Sequence, residues 1–214
     1  MKHKLLLAAL SATLLFSNRT EAQIPGVSKV TKMIPKVDLG LKLGANFNQL
    51  HGNSFKNSYQ PGIIGGAFVG VRMNKWGIRA EGLISSAKYT YSFTKYTSAY
   101  STTQNGTFKN IYLDVPVLFE YKIISRLWAQ IGPQFSNVIS VSATPNPPAG
   151  TDPKSYFKSG FSGVLGLEAR LPIHIVAGAR YILGVTDIHN ESLPGASGAW
   201  NTRTIQLYVG FRFL

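Results

Sequence analysis

Apolar and polar residues alternate along most of this chain with a period of two. In YLDVPVLFEYKI, residues 112–123, Leu113, Val115, Val117, Phe119, Tyr121 and Ile123 fall on one side. Tyr112, Asp114, Pro116, Leu118, Glu120 and Lys122 fall on the other. Period two describes an extended strand with two chemically different faces. The pattern recurs at 37–47, 62–73, 76–84, 127–135, 159–171, 175–186 and 204–214. It predicts eight strands of about 9–13 residues each, the length a tilted strand needs to cross a bilayer. The connections near 74–75, 123–126 and 172–174 are short. Those at 48–60, 94–107, 144–155 and 188–202 are long, polar and rich in Ser, Thr, Asn, Gly and Pro. Short and long connections alternate, so all the long ones fall at the end away from the first strand's start. The expected fold is all-β: a transmembrane antiparallel up-and-down β-barrel of about eight strands, with short periplasmic turns and long extracellular loops.

Alternation alone does not say whether water or lipid lies outside. Composition does. Only 14% of the residues are charged, against about 25% in an ordinary soluble protein. One face carries Leu, Val, Ile, Phe and Ala. The other mixes Gly with Arg, Glu, Asp, Lys, Gln and Ser. As a water-exposed surface the second face would make poor use of glycine. As the narrow interior of a small membrane barrel it makes sense, because glycine leaves room beside long side chains. There Arg79, Arg170, Arg180 and Arg212 are expected to pair with Glu81, Asp114, Glu120 and Glu168 in a structural charge network. A barrel of about eight strands is filled by its own side chains, so a catalytic or conducting role for these groups is disfavoured. Pro116 and Pro133 are expected at bulges or near a rim. Two aromatic girdles are expected at the membrane interfaces: Trp76, Tyr121, Phe211 and Phe213 at the turn side, and Tyr89, Tyr91, Phe93, Phe135 and Phe157 at the loop side.

The N-terminus adds a compartment. A basic start (Met1-Lys2-His3-Lys4), an apolar stretch over residues 5–16 and a polar segment ending at Ala22 predict a cleaved signal peptide, residues 1–22. An irregular lead-in over 23–36 and a barrel domain over 37–214 complete the expected organisation. The formal net charge is +13, and removal of Lys2, Lys4, Arg19 and Glu21 leaves +11. No Lys/Arg-rich run is present, so nucleic acid is not an expected partner. Scattered basic residues suit anionic lipid headgroups instead. The chain has no cysteine, which excludes disulfides and thiol chemistry. It has no Gly-rich phosphate loop after a strand and no histidine pair at ligand spacing, so no cofactor or metal is expected. The groups an enzyme would need are few: His51, His174 and His189, with Glu191 and Ser192 beside the last. His189, Glu191 and Ser192 share one loop, a poor place to preorganise a nucleophile and its base. A lipid A-modifying enzyme and a small-solute porin-like channel are the alternative readings.

The segments YLDVPVLFEYKI, GPQFS, GLEARLP, GARYILGVTDI and the terminal LYVGFRFL resemble, in order, the PorT-like outer-membrane β-barrel proteins of Bacteroidetes. The resemblance covers about residues 37–214. It implies a cell outer membrane location for an integral barrel. The terminal strand, with Tyr208, Phe211 and Phe213, resembles the β-signal read by the barrel-assembly machinery. The family's name-giving member is tied to export through the type IX secretion system, a role that belongs to that member. The expected function is that of a non-enzymatic barrel with a filled interior and loops free for envelope, adhesion or secretion-related contacts. The expected partners are outer-membrane lipid and lipopolysaccharide, the assembly machinery, and secretion or surface proteins.

Overall fold

The computed structural model describes residues 35–51, 58–96, 101–144, 154, 157–186 and 201–213; at 51, 91–96 and 101–105 only the backbone is described. The signal peptide, the lead-in up to residue 34, and His189, Glu191 and Ser192 lie outside the described residues. So do the side chains of His51, Tyr91 and Phe93.

Eight strands follow one another: β1 Lys36–His51, β2 Gln60–Arg72, β3 Trp76–Tyr96, β4 Ser101–Ile124, β5 Leu127–Thr144, β6 Gly160–Arg170, β7 Ile175–Gly184 and β8 Asn201–Arg212. Each pairs antiparallel with the next, and β8 returns to β1 to close the barrel. Leu43 at the seam sits opposite Gly65 on one side and Val209 on the other. Closure pairs every strand edge around the ring, the one arrangement in which a sheet can stand in lipid.

The two faces separate as the alternation predicts. On β4, Leu113, Val115, Val117, Phe119 and Tyr121 point outward, whereas Asp114, Leu118 and Glu120 are buried inside. Leu43, Ile63 and Leu165 are 65%, 70% and 60% exposed, while Arg79 and Glu168 are 0% exposed. The protein is inside out by the standards of a water-soluble domain, with its described carboxylates and their ion pairs within and an apolar belt around them.

Three expectations need correction. β3, β4 and β5 contain 21, 24 and 18 residues, well beyond the predicted length. The predicted loop at 94–107 is mostly strand, and only residues 97–100 separate β3 from β4. Its Thr and Tyr residues favour extended backbone. Its polar character marks a ribbon that rises past the apolar belt, where neither face must be apolar. The prolines, secondly, do not create bulges. Register shifts occur at Ile111/Tyr112 and Lys122/Ile124. Pro116 and Pro133 sit mid-strand and leave gaps in the ladder beside them, with the register continuing unchanged across each gap. Thirdly, Tyr89 and Phe157 are 4% and 6% exposed and pack inside the barrel, so they belong to no girdle. Trp76, Tyr121, Phe135, Phe211 and Phe213 do face outward. Trp76 stacks on Phe119 at 6.4 Å between ring centroids, and Phe211 meets Phe213 at 5.6 Å.

The barrel interior as candidate functional site

The inner face has four tiers, read upward along β3 as Arg79–Glu81, Leu83, Ser85 and Ala87–Tyr89, and along β4 as Glu120, Leu118, Asp114 and Tyr112–Phe108. The lowest, nearest the short turns, is ionic. Glu168 is its hub. Arg79 donates to it in bidentate fashion at 2.6 and 2.9 Å, and Arg170 Nε donates at 3.1 Å. Gln130 Nε2 donates at 3.2 Å, and the Tyr208 hydroxyl lies 2.9 Å away. Glu81 is a second hub, held by both nitrogens of the Arg180 fork at 2.7 and 2.8 Å and by Lys42 Nζ at 2.8 and 2.9 Å. Glu120 joins the two through Arg170 Nη2 at 2.5 Å, Gln130 at 2.8 Å and Arg79 at 3.1 Å. Below them Asp38 accepts from Arg72 at 2.6 Å, with Arg212 at 3.6 Å and Arg170 at 3.8 Å. Aromatic faces complete the cages. Lys42 Nζ lies 3.8 Å from the Tyr208 ring centroid, Arg79 lies 4.5 Å from that of Phe68, and Arg170 lies 4.0 Å from that of Trp128. Charges taken out of water survive only with this degree of pairing.

Six of the eight residues expected in the network come together here: Arg79, Glu81, Glu120, Glu168, Arg170 and Arg180. Arg212 reaches Asp38 instead. Asp114 stands apart, two inward positions above Leu118, and accepts from Ser85 Oγ at 2.6 Å. Its strand parity is right, but its height puts the apolar tier between it and the arginines. Lys42, Asp38, Arg72, Gln130 and Tyr208 complete the network. Asp38 and Lys42 share the parity of Gly40 and Gly44 on β1, so the period-two pattern already placed them inside.

Above the ions, Ile64, Leu83, Leu118, Val164 and Ile182 form an apolar tier, each 5% exposed or less. Next comes a polar cup that includes Asn48, Ser85, Asp114, Gln134, Ser136 and Thr204 around a cavity of about 50 Å³, room for a few waters. Tyr89, Phe108 and Phe157 form the top tier, with ring centroids 6.3 Å apart for Tyr89–Phe157 and 5.3 Å for Phe108–Phe157. Among the described residues no cluster of His, Cys, Asp or Glu has metal-binding geometry. His174 sits in the short turn before β7, 6.1 Å from the Phe211 ring, with a positive φ of 63°.

Glycine makes the ionic tier possible. Gly178 lies directly across from Tyr208, and a Cβ built there would come within 2.4 Å of the phenol Cζ. Gly178→Val is therefore expected to push Tyr208 off Glu168 and destabilise the barrel by about 1–3 kcal/mol. Urea unfolding of the refolded protein measures this. Gly163→Val is the control, because a Cβ there meets nothing within 4 Å, and its effect should stay within about 0.5 kcal/mol.

The interior mixes both signs, whereas the described outer surface carries one. All five described carboxylates, Asp38, Glu81, Asp114, Glu120 and Glu168, are buried inside. The exposed charges among the described residues are all cationic: Lys36, Lys75, Lys88, Lys109, Arg126, Lys154, Lys158 and Arg203. The basicity of the chain is thus carried on the outside.

Solved structures are similar to this chain to differing degrees. Neisserial surface protein A is 13% identical with a TM-score of 0.51, the match covering 83% of this chain and 99% of that one. Ail, the attachment invasion locus protein of Yersinia pestis, is 16% identical over 83% of this chain and 99% of its own, with a TM-score of 0.43. OprG from Pseudomonas aeruginosa is 12% identical over 85% and 98%, with a TM-score of 0.40. No curated protein matches the chain. The family model for the outer membrane protein beta-barrel domain matches residues 22–190, which span the barrel from β1 through β7. With a closed eight-strand sheet, an apolar belt and an ionic interior, the chain belongs to the outer membrane protein beta-barrel domain family.

Proposed function

We propose that this is an integral outer-membrane barrel, exported by a cleaved signal peptide, that acts through its outer surface and loops and neither catalyses nor conducts. The observation that carries the reading is the filled interior. An ionic tier packed with Arg–carboxylate pairs and an apolar tier above it leave no aqueous path for a solute. The groups of the ionic tier are each committed to a partner, which disfavours a reactive role for them. Contacts of the envelope, adhesion or secretion kind fall to the exposed end with the longer connections. The quoted resemblance segments fall on β4 to β8 and support kinship with the PorT-like proteins. Phe211 and Phe213 point outward and are available to the barrel-assembly machinery. Tyr208 is committed inward, so its part in such a signal would be exerted before folding.

The test is a pair of measurements on the outer-membrane fraction and the purified protein. Unboiled and boiled samples should migrate differently in SDS, as a closed barrel does. In planar bilayers the protein should give no discrete conductance steps. Sustained, reproducible steps would overturn the filled-barrel reading and restore the channel alternative.

A further inference from the structure

Lys88 on β3 and Lys109 on β4 are register partners. Both point outward and both are exposed. Directly opposed residues on neighbouring strands hold their Cβ atoms about 4.5–5.5 Å apart, and like charges so placed repel. No described carboxylate relieves them, because all five face the interior. The pair also has a defined height. One outward step towards the short turns, Ile111 and then Leu113 begin the apolar belt. One step the other way, Thr90 faces Thr107. Ser142 of β5 stands opposite Lys109. Two ammonium groups and a fringe of hydroxyl donors therefore meet at the level where the barrel leaves the hydrocarbon, on the side of the longer connections.

We propose that Lys88 and Lys109 form a binding site for the phosphate of an outer-leaflet glycolipid. A phosphate carries more than one negative charge and several acceptor oxygens. It neutralises both lysines at once, and the hydroxyls of Thr90, Thr107 and Ser142 lie on the same face to donate to it. The acyl chains of the same molecule would lie along the apolar belt beneath. The inference rests on the outer-membrane reading above and assigns its lipid contact to a specific pair of residues.

The experiment uses the refolded full chain in phosphatidylcholine vesicles that contain a small fraction of bis-phosphorylated lipid A. The heat-dependent gel shift is recorded first for every variant. It tests the barrel reading by itself, so failure of that reading is seen before any lipid is measured. Lipid A held by the protein after extraction into mild detergent is then titrated by mass spectrometry of the intact complex. K88Q/K109Q is expected to weaken apparent affinity about thirtyfold. K75Q/R126Q, at the short-turn end, should leave it unchanged. Dephosphorylated lipid A and phosphatidylglycerol should be held at least about tenfold more weakly than the phosphorylated glycolipid. Equal retention by K88Q/K109Q and wild type overturns the site. Equal retention of phosphatidylglycerol overturns the glycolipid assignment, and equal retention of the dephosphorylated form overturns the role of phosphate. Should the double variant fail to insert, K88Q and K109Q singly give the same test, each with an expected loss of about fivefold.

Discussion

Glu168→Leu is expected to destabilise the folded barrel by about 3–5 kcal/mol, the cost of removing the bidentate partner of a buried cation and leaving it only the single Glu120 contact at 3.1 Å. Equilibrium urea unfolding in bilayers, followed by tryptophan fluorescence, measures it. The carboxylate holds both Arg79 nitrogens at 2.6 and 2.9 Å and the Arg170 Nε at 3.1 Å. Arg79 is 0% exposed and has no route to water once the pair is broken. The double variant R79M/E168L removes both charges and should recover more than half of the loss, because a buried pair is worth little against well-packed apolar side chains while a lone buried charge is worth much less. A single-variant effect below about 1 kcal/mol would mean that the ionic tier does not hold these charges in the way its geometry requires.

The second large effect lies on the other face. Leu165 is 60% exposed at the middle of β6. Leu165→Arg is expected to cost about 2–4 kcal/mol in a bilayer, the value for a cation on the lipid face near the midplane. Ser142→Arg, also outward but above the apolar belt, should cost about 0–1 kcal/mol. In water both substitutions would fall within about 0.5 kcal/mol of wild type. The contrast between the two sites separates a barrel solvated by lipid from one solvated by water. Equal and small effects at both would sink the membrane reading.

Much of this was legible in the sequence, and for a simple reason. A period-two pattern with unlike faces fixes which residues share an interior as soon as one of them is placed. The inward positions of β4, from Asp114 through Leu118 to Glu120, follow from YLDVPVLFEYKI alone. Height along the strand is less legible. Asp114 and Glu120 share a face, yet their partners differ because Leu118 and the apolar tier intervene, and that depends on how neighbouring strands are staggered. Strand ends were hidden for another reason. The segment 94–107 is rich in Thr, Ser and Tyr and has no apolar face, so it reads as loop. Once β3 is carried to its true end, the parity of Arg79, Glu81 and Leu83 puts Tyr89 inside. Phe157, which packs against Tyr89, sits before β6 where no periodicity guides it, and nothing local in the chain marked it as core.

The partners in the ionic tier are 39, 89 and 99 residues apart for Lys42–Glu81, Arg79–Glu168 and Arg180–Glu81. They join β1 to β3, β3 to β6 and β3 to β7. A half-built sheet of β1 to β4 therefore holds Arg79 without Glu168 and Glu81 without Arg180. Its own pairs, Lys42–Glu81, Arg72–Asp38 and Arg79–Glu120, lie within the four strands, whereas Arg170, Arg180 and Arg212 of the later strands have only Glu168 there and must reach Glu120, Glu81 and Asp38 on the first four. Ring closure is therefore the step at which the cations of the last strands find their carboxylates. With contacts this distant in sequence the step is slow. The ion network thus acts as a test of completion: only a ring that has closed in register satisfies it.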